Sequence, residues 1–243
     1  MGELRETINE LFNLQGNKLF RTIKGLTVAP GNTIRTFAEG DRTTFLHPFT
    51  YLMTFVSISL FLGSMIPTAT SLQKDILDSE NKVQELSSRN ELSLKEKKDL
   101  EYEIFTLEVA KYIKSENGKR HNTYISLFLY SIIHVLVFRN LKFGLKKNIW
   151  FSFLVSGHNY LIFSVLLCPL GFFLWHLDFN LEIYIVAIVI YIIYQSWAAC
   201  QFYEISFSRA LKKNIFNYLI CFTIQLLFGL ILVVSYQYYI YKL

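Results

Sequence analysis

Apolar residues along this chain fall into long uninterrupted runs, not into the alternation of a half-buried sheet. The largest block, Asn148 to Ile240, is almost wholly apolar and aromatic, and two short polar breaks divide it into three runs. Pro48–Ile66 and Thr123–Phe138 are earlier runs of 19 and 16 residues. A bilayer-crossing helix needs about 20 apolar residues. The pattern predicts an all-α, polytopic membrane protein with about five transmembrane helices: Pro48–Ile66, Thr123–Phe138, Ile149–Gly171, Ile183–Phe202 and Ile215–Ile240. Pro67 ends the first span. Trp150 anchors the start of the third at the interface, Tyr236, Tyr238, Tyr239 and Tyr241 anchor the far end of the last, and His134 falls near an interface.

Residues 1–47 carry a different pattern. Leu4, Ile8 and Leu11 share a face of a short helix over Glu3–Leu14, which Gly16 and Asn17 interrupt. Leu19, Ile23 and Leu26 then share one side, with Lys18, Arg21 and Lys24 opposite. That arrangement suits a helix lying on an anionic membrane surface, or one packed on the rest of the protein. Pro30-Gly31 predicts a turn, Asn32 or Thr33 the cap of a short helix through Glu39, and Gly40 its stop. Arg35 and Arg42 flank this helix, as headgroup or partner contacts or as ordinary cytoplasmic anchors.

Residues 68–122 are charged, with ten Lys and Arg against eleven Asp and Glu. Leu72, Ile76, Val83 and Leu86 form one helical stripe, Ser87–Asn90 a break, and Ser93–Lys114 a second helix carrying Leu100, Leu107 and Ala110, which Gly118 breaks. A helical hairpin outside the bilayer is expected, and it is the place where a protein partner would dock. Residues 123–243 form a four-helix membrane region.

Charge sharpens the topology. Charged residues are 18% of the 243, and Ile149–Leu177 holds none, as a bilayer interior demands. The short loops hold four basic residues (Arg139, Lys142, Lys146, Lys147), then none, then three (Arg209, Lys212, Lys213). The positive-inside rule therefore puts the N-terminus in the cytoplasm, and the hairpin and C-terminus outside, in a plasma (inner) membrane. The net charge of +5 follows these loops, and no basic-aromatic patch points to nucleic acid. Residues 1–19 lack the continuous apolar core of a signal peptide, so the first span would serve as the insertion signal.

Cys168, Cys200 and Cys221 sit in apolar runs without metal or disulfide spacing. The polar residues inside the spans are the candidate chemistry: Ser156, His158 and Asn159 in the third, Gln195 and Ser196 in the fourth, Thr223 and Gln225 in the fifth, with Tyr203 at a span end. Buried polar groups in lipid need partners, so these are expected to face one another across the bundle. His158 is a proton relay, a metal ligand, a substrate contact or an interhelical hydrogen bond; Glu204 is the nearest carboxylate in sequence. His176, Asp178 and Glu182 cluster in an outer loop, where a weak metal site is conceivable. No phosphate loop, HExxH or nucleophile motif is present, and no cofactor or resident metal is expected.

Leu26-Thr-Val-Ala-Pro30-Gly31-Asn-Thr33-Ile34-Arg35-Thr-Phe37, then Gly40-Asp-Arg42 and Pro48-Phe49, resembles an uncharacterised bacterial integral-membrane family, a domain of unknown function. Phe153 to Phe163 around His158 is similar to that family's histidine-bearing third span, and Tyr203–Lys213 to its basic linker. Members often begin with a zinc ribbon, absent here, and often carry a second histidine where Ser156 stands. The resemblance implies the fold and no activity. The expected function is an accessory subunit or scaffold without catalysis. It would bind a protein through residues 68–122 and lipid headgroups through Lys18, Arg21, Lys24, Arg35 and Arg42, with a homo-oligomer open. The alternatives are a small transporter or channel with a path lined by His158, and a membrane enzyme on lipid-linked substrates.

Overall fold

A computed structural model of the chain describes residues 18–65, 70–89, 91–141, 143–167, 169 and 180–242. Among these residues every regular element is helical. In chain order they are α1 (18–28), α2 (Pro30–Glu39), α3 (Pro48–Ser64), α4 (Thr70–Ser87), α5 (Leu94–Lys114), α6 (Glu116–Phe138), α7 (Leu145–Ile162, continued by a π-helical turn Phe163–Leu167), α8 (Asn180–Tyr203) and α9 (Phe207–Lys242). The expected helix over Glu3–Leu14, the Leu72, Glu182 and Tyr241 side chains, and Cys168, His176 and Asp178 lie outside what the structure describes.

Among the described residues, three segments are long and apolar enough to cross a membrane: Asn117–Phe138, Ile185–Tyr203 and Phe207–Ile240, of 22, 19 and 34 residues. Pro48–Ser64 is apolar but shorter. The run expected over Thr123–Phe138 is longer than its charge-free core, because α6 begins at Glu116. Ser115 terminates α5 and caps α6, its Oγ accepting from the Gly118 N–H at 3.0 Å. The break thus falls at Ser115, not at Gly118. Gly118 sits in the first turn of α6, where a Cβ would collide with the Tyr112 carbonyl.

The N-terminal region departs most from expectation. Pro30 does not make a turn; it is the first residue of α2, where its missing N–H is no loss. Neither Asn32 nor Thr33 caps the helix, whose N-cap is Ala29 at φ −146°. Gly40 is the stop, at φ +135°, which glycine adopts without strain. Gly25 and Thr33 would stand about 12 Å apart along a straight helix. Here a Cβ on Gly25 would lie 2.7 Å from Thr33 Oγ1, so α1 and α2 fold into a sharp V at Ala29.

The V packs on α7 and α8, and α3 lies along α7. Leu26, Ile34, Phe37, Tyr51, Phe55, Phe151, Leu154, Ala198 and Phe202 form the core between them. The apolar stripe of α1 therefore meets protein, leaving Arg21 and Lys24 exposed. Trp150 is not a lipid-facing anchor. It is 9% exposed, edge-on to Phe37 at 5.3 Å, with Arg42 Cζ and Lys146 Nζ each 5.1 Å from its ring. His134, one turn from the end of α6, is fully buried within the protein.

Helices α4 and α5 run antiparallel. Lys82 pairs with Glu103, and Lys111 with Glu80 at 2.7 Å. A capping box starts α5, with Ser93 Oγ accepting from the Glu96 N–H and the Glu96 carboxylate from the Ser93 N–H. These bonds hold the Glu96 carboxyl below its ordinary range. The sign follows: this contribution is complete above the ordinary glutamate pKa and is lost as pH falls through the lowered value.

Two glycine substitutions test the packing. A Cβ on Gly157 would lie 2.8 Å from Tyr51 Cδ1 and 3.0 Å from the Leu52 Cα, so Gly157→Val should lower stability by about 1–3 kcal/mol. Gly63→Ala meets nothing within 4 Å and should not destabilise. Thermal unfolding in detergent micelles distinguishes the two.

Candidate functional site

The expected histidine lies where α1, α3, α7 and α8 meet. His158, 3% exposed, extends from α7. Its ring stacks on Tyr194 of α8 at 5.1 Å and lies near-parallel to Tyr51 of α3 at 6.4 Å. Its Nδ1 is 2.8 Å from the Tyr51 hydroxyl, and its Nε2 is 3.3 Å from Thr27 Oγ1 in α1. The proton order follows from the chain of donors. Thr27 donates its one hydroxyl hydrogen to the Ile23 carbonyl at 2.8 Å. Thr27 Oγ1 must then accept from His158, so Nε2 carries the proton, and Tyr51 donates to the bare Nδ1. Tyr194 completes the site by donating to the Leu26 carbonyl at 3.0 Å.

That last bond answers a backbone need. The helical ladder breaks at Ala29, so carbonyls near the end of α1 lack their usual partners. Tyr194 takes the carbonyl of Leu26 just before the tip of the V. Just past the tip, the Gly31 N–H donates to Gln201 Oε1 at 3.0 Å. A Cβ at Gly31 would overlap the Ala198 carbonyl and the Phe202 nitrogen, so only glycine allows α2 this approach to α8.

Arg35 secures the other end of α2. Its guanidinium donates to the Gln201 carbonyl at 2.5 Å, the Phe202 carbonyl at 2.9 Å and Glu204 Oε1 at 2.6 Å. A cation on the last carbonyls of α8 also meets the negative end of the helix dipole. Glu204 follows the helix at φ 56°, and the Ile205 N–H closes onto the Cys200 carbonyl at 3.3 Å, a six-to-one closure of the helix end. That left-handed position usually takes glycine. Here the glutamate supplies the anion facing Arg35. The only carboxylate proposed near His158 is thus engaged elsewhere.

The other expected residues divide into groups. Ser156 and Asn159 are buried on α7. Gln195 accepts from Tyr130 at 2.6 Å and donates to Tyr218 at 3.1 Å, joining α6, α8 and α9. Tyr203 donates to Asn148 Oδ1 at 2.8 Å. Gln225 donates to Ser126 at 2.8 Å. His158, Gln195, Tyr203 and Gln225 therefore pair across helices, largely with tyrosines and serines not singled out from the sequence, whereas the buried Asn159 Oδ1 has no partner in the protein. Tyr51, Tyr194 and Thr27 were missed, and His134 was read only as an interfacial residue. A phenol within an apolar run was the available signal for the first two. Of the basic residues, Arg35 is held inside the protein, Arg42 lies over Trp150, Lys18 is half-buried, and Arg21 and Lys24 are exposed. Among the described residues no group of three His, Cys, Asp or Glu could hold a metal ion, and Cys200 and Cys221 are free.

The V and most of α3 coincide with a family match. Residues 17–61 match the model of a family described as Protein of unknown function (DUF3667). The match fits an uncharacterised family and covers the stretch that carries Pro30-Gly31 and Arg35. No curated protein and no solved structure matches the chain.

Two variants separate the anchors of the V. Arg35→Met strands the α8 carbonyls and should lower stability by about 2–3 kcal/mol, whereas Glu204→Gly loses a half-exposed anion but relieves the left-handed strain and should stay within about 1 kcal/mol of wild type. Thermal unfolding reads both. His158→Phe should speed amide exchange across residues 18–39 while leaving exchange in α6 and α9 unchanged.

Proposed function

We propose that the chain is a membrane scaffold or accessory subunit without catalytic chemistry of its own. The observation that carries this reading is the state of His158. Both ring nitrogens are hydrogen-bonded to protein and one face stacks on the Tyr194 ring, which leaves no ring nitrogen to meet a substrate. The arrangement favours a residue that fixes the V on the bundle over one that lines a path, so it weighs against the transporter reading. It also weighs against an enzyme acting on lipid-linked substrates.

In this reading α3, α6, α7, α8 and α9 are the five spans of an inner-membrane protein. The Arg139–Lys147 and Arg209–Lys213 loops and the V lie on the cytoplasmic side, and the C-terminus lies outside. The antiparallel α4–α5 pair is an extracytoplasmic hairpin and the docking element for a protein partner. Its support is its composition: charged, tied by ion pairs, and joined to the bundle near its end, where Phe105 stacks on Tyr236 at 3.6 Å. The exposed Arg21 and Lys24, with Lys18 and Arg42, face anionic headgroups. Arg35 is withdrawn from that role because its two terminal guanidinium nitrogens donate within the protein.

Affinity purification from native membranes tests the reading. Deletion of residues 72–114 should abolish recovery of partner proteins while the variant still inserts. His158→Gln should leave the partner set unchanged. Recovery of the full set with the deletion variant, or solute flux into protein-containing liposomes that His158→Gln removes, would overturn it.

A further inference from the structure

A second buried histidine sits in a polar seam that the scaffold reading does not use. His134 of α6 is 0% exposed, its ring stacked on Phe138 at 4.4 Å and on Phe151 at 5.0 Å. Helices α6 and α9 run antiparallel, as three contacts show: Ser126 with Gln225, Tyr130 with Tyr218, and Val137 with Lys213. That register sets His134 level with residues 214–217 of α9. Asn214 and Asn217 are both 0% exposed. On α9, Lys213 and Tyr218 meet α6, while Asn214 turns to Ser196 of α8.

Most polar atoms in this seam are paired. Asn214 Nδ2 donates to Ser196 Oγ at 3.2 Å, and Tyr130, Gln195 and Tyr218 close a layer above. Lys213 Nζ donates to the Val137 carbonyl at 2.6 Å and closes the seam below. Three fully buried atoms make no hydrogen bond of ordinary geometry within the protein: His134 Nδ1, Asn214 Oδ1 and Asn217 Nδ2, the Asn217 amide also approaching the Tyr130 hydroxyl. Their polarity can be assigned. Tyr203 gives its hydrogen to Asn148 Oδ1 at 2.8 Å, so at 3.4 Å from His134 Nε2 its oxygen is the acceptor, and Nε2 carries the ring proton. His134 Nδ1 is then an acceptor, as is Asn214 Oδ1, and Asn217 Nδ2 is a donor.

We propose that α6, α8 and α9 enclose a binding site for one water-sized, neutral polar molecule, held by His134, Asn214 and Asn217. Two acceptors and one donor are the complement of a single water, which donates twice and accepts once. An ammonium ion cannot accept from Asn217, and the nearby Lys213 opposes any cation. Unpaired polar groups here would each lose the bond that water supplies outside, a loss of several kcal/mol in hydrocarbon surroundings. The bound molecule extends a chain through His134, Tyr203 and Asn148, whose Nδ2 donates to the Phe143 carbonyl in the α6–α7 loop at 3.3 Å. It joins α9 to α6, α8 and α7 through one hydrogen-bonded network.

Two measurements on the full-length protein test this. In nanodiscs, a map that shows ordered solvent should place one peak within about 2.6–3.2 Å of all three atoms. Direct pairing of the three side chains with protein groups, and no peak, would overturn the site. In proteoliposomes, water-edited solid-state NMR should polarise the Asn217 side-chain amide several-fold faster than that of Asn148, which is paired within the protein. Equal build-up at the two amides would overturn it. Asn217→Leu should remove the water transfer to the His134 ring, and transfer at the wild-type rate would count against the site.

Discussion

The last carbonyls of an α-helix have no partner within the helix, and in apolar surroundings each must find one elsewhere. At the end of α8 that partner is the Arg35 guanidinium, which takes the carbonyls of Gln201 and Phe202 and the carboxylate of Glu204 together. Arg35 can reach them only because Gly31 lets the backbone of α2 settle against α8. Gly31 is in turn placed by the V at Ala29. The spacing of Pro30, Gly31 and Arg35 along the chain is therefore the spacing of one docking surface. Pro30 starts the helix, Gly31 admits α8, Ile34 and Phe37 fill the core, and Arg35 closes the helix end.

The same need governs the rest of the bundle. Tyr194 reaches the Leu26 carbonyl, Lys213 the Val137 carbonyl at the end of α6, and Gln201 the Gly31 N–H. In the membrane reading proposed above, lipid offers apolar side chains no less comfort than a neighbouring helix does, so burial alone would not select a partner. Directional bonds and close backbone approach supply the selection, and that is why tyrosines, histidines and glycines cluster where helices meet. His158 belongs to this class: it ties α1 and α3 to α7.

The cations have two roles. Arg35 and Lys213 pair with backbone carbonyls at helix ends, while Arg42 and Lys146 lie over Trp150, and Lys147 lies 5.1 Å over Phe143. Arg21 and Lys24 remain on the surface. Cations of one kind in the sequence are thus divided by geometry into internal clamps and exposed residues. At the other extreme, α9 runs for 36 residues, about 54 Å, well beyond a hydrocarbon core of about 30 Å. Its far end accordingly reaches α5, where Tyr236 meets Phe105.

The helical class, the long apolar segments and the capped start of α5 at Ser93 were legible in the sequence, because apolar runs, charge gaps and capping residues are local signals. Gly40 as a stop was legible for the same reason. The ends of α6 were less so, since a helix continues through polar residues when Ser115 caps it. What only the tertiary structure decided is which polar residue meets which. His158 and Glu204 stand near each other in expectation, yet Tyr51 and Thr27 take the first and Arg35 the second. Those partners are separated by 107, 131 and 169 residues. Periodicity gives a helix its faces, but the hydrogen-bond partner of a buried side chain depends on how the helices are arranged in space, which no local pattern encodes.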